Sequence, residues 1–465
     1  MRGATARARH QVFFRTVRRF TGNGLVNSPV LSGGRGEEPC CPGMLRPMSA
    51  YHVAFLPFPA FGHINTTLPV VAELVRRGHR VTFATSARFA PAAAAAGADV
   101  LEYESWLASR KLPDRVDAEY MVQEPVRSID EAIATVPVYE AGFGDDLPDV
   151  LLYDVSTFAA GRVLSRKWRR PAIELFATFA SNEHYSLTQQ IGALYEGEID
   201  REHPALIDFF VKQGRLLSEH GLDDVTLEEF NAPADDANLV FLPRQFQPAA
   251  ETFDDRFAFV GACIGDRVEE VPWHPPGDGR PLLLVSMGSF SFDHQRTVLR
   301  TCVEAFADTD WHVVVQAGTG AHGEDFPLVP DNVTLLRWVP QLTVLEHADA
   351  FVSHAGMNSV MEAMYFGTPV VAVPHMPEQR LIAARLEELG LGVHLPAAEA
   401  TPGQLRRAVH SVTADGSTRA RVHALGNALR SAGGPVRAAD YVEKVAARGA
   451  GAPSRAEAVD APGRP

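Results

Sequence analysis

Four cysteines in 465 residues are too few and too scattered for a disulfide framework: Cys40 and Cys41 are adjacent, while Cys263 and Cys302 stand alone. No metal-ligand spacing links them, and a reducing, cytoplasmic compartment is the expectation. No apolar run approaches the ~20 residues that span a bilayer, so stable membrane insertion is not expected. Positive charge is also in deficit, with 43 Lys+Arg against 57 Asp+Glu and a formal net charge of −14. A chain this acidic has little to offer a phosphate backbone, which argues against a nucleic-acid partner. A small polyanion can still bind through local amides and a helix end, which act over a few Å regardless of net charge.

What is present is the balance of an ordinary soluble protein, 46% hydrophobic and 22% charged. The length is too great for one hydrophobic core and suits two domains of ~200 residues each. Residues 1–49 differ from the rest, with eight arginines against only Glu37 and Glu38, and Gly/Pro-rich stretches. Such an Arg-rich leader has the composition of a transit peptide; the preferred expectation is that translation naturally starts at Met48 and that the preceding segment is a disordered or mis-assigned leader. The tail 446–465, rich in Ala, Gly, Pro and Arg, is expected to be unstructured as well.

Between these ends the chain alternates strands and helices. His52-Val53-Ala54-Phe55-Leu56 reads as a buried strand, a helix is expected from about Asn65 to Arg77, and Arg80–Thr85 is the next strand. Strand, helix and strand at this spacing make a βαβ unit and a parallel sheet. Val150–Tyr153 and Ala172–Leu175 continue it. Residues 50–260 form the first predicted domain, 261–280 a Pro/Gly-rich linker, and 281–445 a second βα series with strands at Leu282–Ser286, His312–Gln316, Val333–Arg337, Ala350–Ser353 and Val370–Val373. The predicted fold class is α/β: two doubly wound, Rossmann-like halves facing across a cleft, with ligands beyond the strands' carboxyl ends.

The densest signal is Trp338-Val339-Pro340-Gln341, then His354-Ala355-Gly356-Met357-Asn358-Ser359, Glu362, Pro374, and Glu378-Gln379. A strand ending in a Gly-containing turn, with a helix opening near Asn358, builds an anion site from free amides and the helix dipole. His354, Asn358 and Ser359 add donors, Glu362 one turn on can accept from two vicinal hydroxyls, and Trp338 can stack on a flat base. Singly these residues have plainer uses: Asn358 and Ser359 suit a helix N-terminus without any ligand, Gly356 suits a turn, and Trp338 suits a core.

The segment Trp338–Gln379 resembles the nucleotide-sugar signature of glycosyltransferase family 1, the UDP-glycosyltransferases. Phe351-Val-Ser-His-Ala-Gly-Met-Asn-Ser-Val-Met-Glu and Pro374-His-Met-Pro-Glu-Gln look closest to its bacterial macrolide-glycosyltransferase branch, and the likeness runs from about Tyr51 to Val445. The resemblance implies the GT-B fold and an inverting transfer, with no cofactor or metal, from a UDP-sugar to a small lipophilic acceptor. It places Trp338 on the uracil, Val339 and Gln341 in the base pocket, and Glu362 on the ribose. His354, Gly356, Asn358, Ser359 and Ser289 would hold the diphosphate, and Glu378 and Gln379 the sugar. Ala355, Thr368 and His375 depart from the family's commoner Gly, Val and Gln, which bears on sugar selectivity.

His63, in Gly62-His63-Ile64-Asn65, is expected directly before the first helix, whose positive end favours a neutral imidazole able to accept a proton. By the resemblance it is the catalytic base, oriented by Asp154 at a strand's carboxyl end. Phe176, Phe179 and Tyr185 are candidates to line an apolar acceptor pocket built from residues 103–146 and 176–237, or else are ordinary core. Two other patterns carry no function in this reading. Gly318-Thr-Gly320-Ala-His-Gly323 matches a dinucleotide fingerprint but leads into a segment with two prolines that opens no helix. Asp308-Thr309-Asp310 falls between a helix and a strand, where acidic turn residues are routine. A deoxyribose offers one hydroxyl fewer to Glu362, so UDP-glucose is expected ahead of a dTDP-deoxysugar. The rival readings are a nucleotide-sugar epimerase and a non-catalytic sugar-nucleotide-binding partner.

Overall fold

A computed structural model describes residues 50–450, apart from 110–112, 114–115, 196–198, 201, 266–271, 290–292, 319–325 and 327. Two parallel sheets organise these residues. The first contains β1 (His52–Leu56), β2 (Arg80–Thr85), β3 (Asp99–Glu102), β4 (Val150–Asp154), β5 (Ala172–Phe176), β6 (Asn238–Val240) and β7 (Phe257–Phe259), in the order β3-β2-β1-β4-β5-β6-β7. The second contains β8 (Leu282–Ser286), β9 (His312–Gln316), β10 (Val333–Leu336), β11 (Ala350–Ser353), β12 (Val370–Ala372) and β13 (Gly392–His394), in the order β10-β9-β8-β11-β12-β13. Neighbouring strands run parallel throughout. These strands read as near-continuous apolar runs because helices cover both sheet faces.

The helices of the first domain are α1 (Phe61–Arg76), α2 (Ala90–Ala95), α3 (Trp106–Ser109), α4 (Ala118–Phe143), α5 (Phe158–Trp168), α6 (Leu187–Ala193), α7 (Pro204–Glu219) and α8 (Leu227–Phe230). Those after the second sheet begins are α9 (Asp293–Phe306), α10 (Gln341–Leu345), α11 (Met357–Phe366), α12 (Pro377–Glu388), α13 (Pro402–Ala414), α14 (Gly416–Ser431) and α15 (Gly434–Ala450). None of the described helices is long and apolar enough to cross a membrane. Both sheets reverse strand order beside their first strand, between β1 and β4 and between β8 and β11. At such a reversal the connections leave in opposite directions and open a crevice at the strands' carboxyl ends.

Two expectations need correction. The second domain was expected to run to residue 445 with an unstructured tail after it. Instead α15 continues to Ala450 and returns to the first domain, burying Ala438, Ala439, Val442, Val445 and Ala446 in the same core as Val53, Phe55, Leu74 and Phe83. Arg77 reinforces it by pairing with Asp440 at 2.7 Å and Glu443 at 3.0 Å. Residues 451–465 and the leader 1–49 lie outside the described residues, as do 266–271 of the expected linker. The second correction concerns α1, which opens at Phe61 rather than near Asn65. Its N-cap, Ala60, makes no side-chain capping bond, so the usual signal for a helix start is missing there.

The two domains also share a core. Phe246, Phe253, Phe257 and Phe259 of the first pack with Ile382, Leu386, Leu425 and Leu429 of the second in one apolar cluster. Arg385 of α12 adds a clamp, donating to the Phe246 carbonyl at 3.1 Å and the Gln245 carbonyl at 3.1 Å.

Candidate active site

The β1–β4 reversal places His63 and Asp154 together from opposite sides. The β1 strand leads through a short loop into α1, and His63 occupies its first turn; Asp154 closes β4. Nδ1 of His63 lies 2.6 Å from Oδ2 of Asp154. The other carboxylate oxygen accepts the Ser156 N–H at 2.8 Å, which fixes the acid's orientation. A carboxylate oxygen accepts, so Nδ1 carries the proton, and in the neutral ring Nε2 keeps its lone pair. Phe58 packs edge-on against the ring at 5.3 Å.

The direction of the His63 pKa shift departs from the sequence expectation. Burial does disfavour the imidazolium, but the Asp154 charge and hydrogen bond, with Glu378 beyond, outweigh it and raise the pKa above the ordinary histidine value. The helix end was the wrong dominant influence, because a contacting carboxylate acts at much shorter range than a dipole.

The β8–β11 reversal builds the other half. After β11 the chain turns through His354 and Ala355, and Gly356 caps α11, leaving Met357, Asn358 and Ser359 in the first helical turn. Their amides have no partners within the helix, and such a helix start favours an anion. Ala355 adopts φ 62, a left-handed conformation that glycine takes without strain. His354 fills the space that two glycines leave: a Cβ on Gly288 would sit 2.7 Å from its Nε2, and one on Gly356 would collide with the same nitrogen. Burial and the neighbouring His375 push the His354 imidazole down to about 4, against a main-chain hydrogen bond at Ser286. Its Nδ1 is buried without a hydrogen-bond partner among the described residues. The helical amides beside it suit an anionic ligand.

Glu362 is fully buried and its two oxygens are both engaged, Oε1 by Asn358 Nδ2 at 2.6 Å and Oε2 by Gln341 Nε2 at 2.6 Å. Gln341 also reaches Ser359 Oγ at 3.3 Å. Trp338, partly buried, meets Phe61 across the crevice with ring centroids 4.8 Å apart, and Arg88 covers the same Phe61 ring at 4.7 Å. Val339 is core, and its N–H bonds Gln316 at 3.3 Å. Gln316 also donates to the Gly288 carbonyl at 3.2 Å, tying the β8 loop to the Trp338 loop. Ser289 lies exposed in that β8 loop.

Not every expected contact survives. Phe176 and Phe179 are each 1% exposed in the shared core, Phe179 stacking on Phe246 at 5.8 Å, so their rings serve packing rather than an open acceptor pocket. Tyr185 packs against that core while partly exposed. Gln379 uses its side-chain oxygen on the N–H groups of His375 at 2.9 Å and Met376 at 3.0 Å, capping α12. Val339 lends its main chain rather than its side chain. Gly320 and Gly323 of the dinucleotide-like pattern lie outside the described residues, while Asp308 and Asp310 are exposed on the turn before β9, at the strand's amino end.

Phe61, Gln316 and Arg162 were missed from sequence. Arg162, buried on α5, donates to Glu174 at 3.0 Å and to the carbonyls of Phe230 and Ala232 at 2.8 Å each, anchoring the segment between α8 and β6. An arginine in a helix otherwise apolar on that face was the available signal.

Comparison with known proteins fits this geometry. Residues 300–458 match the family described as erythromycin biosynthesis protein CIII-like, C-terminal domain. The NDP-glycosyltransferase YjiC of Bacillus subtilis is 38% identical over 401 residues, covering 85% of this chain and 97% of that protein. The demethyllactenocin mycarosyltransferase of Streptomyces fradiae is 36% identical, covering 84% and 86%. The crystal structure of CalG4, the calicheamicin glycosyltransferase, superposes with a TM-score of 0.75 at 38% identity, covering 86% of this chain and 99% of that one.

Proposed function

Because the chain belongs to glycosyltransferase family 1, in its bacterial macrolide-glycosyltransferase-like branch, we propose that it moves a hexose, glucose first, from a UDP-sugar to a hydroxyl of a small lipophilic acceptor with inversion at the anomeric carbon. The observation that carries this reading is the His63–Asp154 pair at 2.6 Å on the helix that touches the α11 anion site. Nε2 of His63 takes the acceptor's proton as its oxygen attacks the face opposite the leaving diphosphate. The α11 amides and His354 meet the charge that develops on that leaving group, so the reading requires no metal and EDTA is expected to leave the rate unchanged.

Glu362 supports uridine over thymidine. Its two oxygens each hold an amide proton at 2.6 Å, the demand that two vicinal ribose hydroxyls would meet. A deoxyribose has one hydroxyl fewer to exchange for those amides. Relatives named for demethyllactenocin and calicheamicin support a lipophilic small-molecule acceptor.

The test is acceptor-dependent UDP release with UDP-glucose and a panel of phenols, flavonoids and macrolides, with products identified by mass spectrometry. His63→Ala should lower the rate by roughly 10²–10⁴ while retaining UDP binding. A wild-type rate in that variant removes His63 from the chemistry. Altered sugar nucleotide without acceptor would point to an epimerase, binding without turnover to a non-catalytic partner, and dTDP competing as well as UDP to a deoxysugar donor.

A further inference from the structure

Helix α1 meets the donor-side residues at more than the Phe61–Trp338 contact. Gly62 presents no side chain where a Cβ would stand 3.9 Å from Asn358 Cβ, so the two helix starts approach closely. One turn on, the buried Thr66 hydroxyl lies 3.0 Å from Asn358 Oδ1. His63 and Thr66 are three residues apart and share a helix face.

The direction of this bond is determined by chemistry. Glu362 accepts from Asn358 Nδ2 at 2.6 Å, so the amide's oxygen faces Thr66 and Thr66 donates. That single proton has a second acceptor, the Gly62 carbonyl at 2.8 Å, one turn back in the same helix. The hydroxyl therefore has two stations, its own helix or the donor site. Which one it serves depends on how Asn358 is held by Glu362.

On the reading that Asn358 and Glu362 hold the donor, we propose that Thr66 is a positioning residue for the transfer. Its hydrogen bond to Asn358 sets the distance at which α1 presents His63 to the anomeric carbon. Ligand hydroxyls that replace the amides on Glu362 free Asn358 to turn, and Thr66 transmits that change to the helix that carries the base.

Thr66→Val keeps the shape and the branched Cβ but has no proton to donate, while Thr66→Ser keeps the donor. The expected result for Thr66→Val is a fall in kcat of about tenfold with the acceptor KM within about twofold, because misplacement of a base affects the chemical step. Thr66→Ser should recover kcat to within about threefold of wild type. In an Asn358→Ala background, Thr66→Val should cost no further kcat, since its partner is already gone. Wild-type kcat in Thr66→Val, equal damage from Thr66→Ser, or a full second loss in the Asn358→Ala background would each overturn the proposal. UDP binding by calorimetry separates the two readings. Unchanged affinity in Trp338→Ala would remove the donor assignment itself. An unaffected kcat in Thr66→Val beside tight UDP binding would remove only the positioning role.

Discussion

Oδ2 of Asp154 lies 2.6 Å from Nδ1 of His63, while Oδ1 of the same carboxylate is held by the Ser156 amide at 2.8 Å. The base is thus oriented from the end of β4, and in the neutral ring its other nitrogen can accept a proton. The same carboxylate keeps the imidazole's pKa above the ordinary histidine value.

That shift has a measurable sign. Below its raised pKa His63 is charged and cannot accept a proton, so kcat/KM should climb as pH rises through a value above 6.5. Asp154→Asn removes the chief raising influence and should move this acid limb to lower pH, while the rate falls by roughly 10²-fold or more from lost orientation. A pH–rate profile of both proteins checks it, and an unmoved limb would detach His63 from the observed titration.

His354 behaves oppositely. Its folded-state pKa, about 4, lies below the unfolded value of 6.5, so the unfolded chain binds a proton first as pH falls. Stability from this group is complete above pH 6.5 and is lost between 6.5 and 4, by on the order of 3 kcal/mol. Urea unfolding at pH 7, 5.5 and 4.5 should show a shallower acid loss in His354→Gln than in wild type.

Gly356→Ala tests the diphosphate pocket. Gly356 has φ −64 and ψ 138, conformations open to alanine, so the added methyl acts only by colliding with the His354 ring. Donor KM is expected to rise about tenfold or more, with a stability cost of about 1–3 kcal/mol. Steady-state kinetics with varied UDP-glucose would show it.

Arg162 and Glu174 form a buried ion pair at 3.0 Å, with Tyr153 and Asp235 hydrogen-bonded alongside. Arg162→Met strips the partner from a buried carboxylate and should destabilise the fold by about 3–5 kcal/mol, whereas Arg162→Met with Glu174→Leu should recover much of that loss. Chemical denaturation of the single and double variants distinguishes charge pairing from simple packing.

Much of the architecture was legible because parallel strands covered on both faces must be apolar: His312–Gln316 and Ala350–Ser353 were readable end to end. Helix boundaries were less so. The opening turn of α1 has no capping side chain and includes Gly62, and α4 holds Pro125 and Pro137 inside its 26 residues, against the usual grammar of helices. Phe176 and Phe179 were left open between pocket and core, because an aromatic residue looks the same in either, and the structure places them in the core.

From the order of residues alone came the two doubly wound halves and the anion-binding turn at His354–Ser359, since each depends on local pattern or on a motif contiguous in the chain; the pairing of His63 with Asp154, 91 residues apart, was an expectation from the family resemblance. Tertiary structure alone decided that α15 returns to the first sheet, that Phe61 meets Trp338, that Thr66 reaches Asn358, and that burial and the Asp154 contact act together on the His63 ring. Those outcomes depend on distances of a few Å between residues far apart in the chain, and both hydrogen bonding and Coulomb interaction are set by that separation.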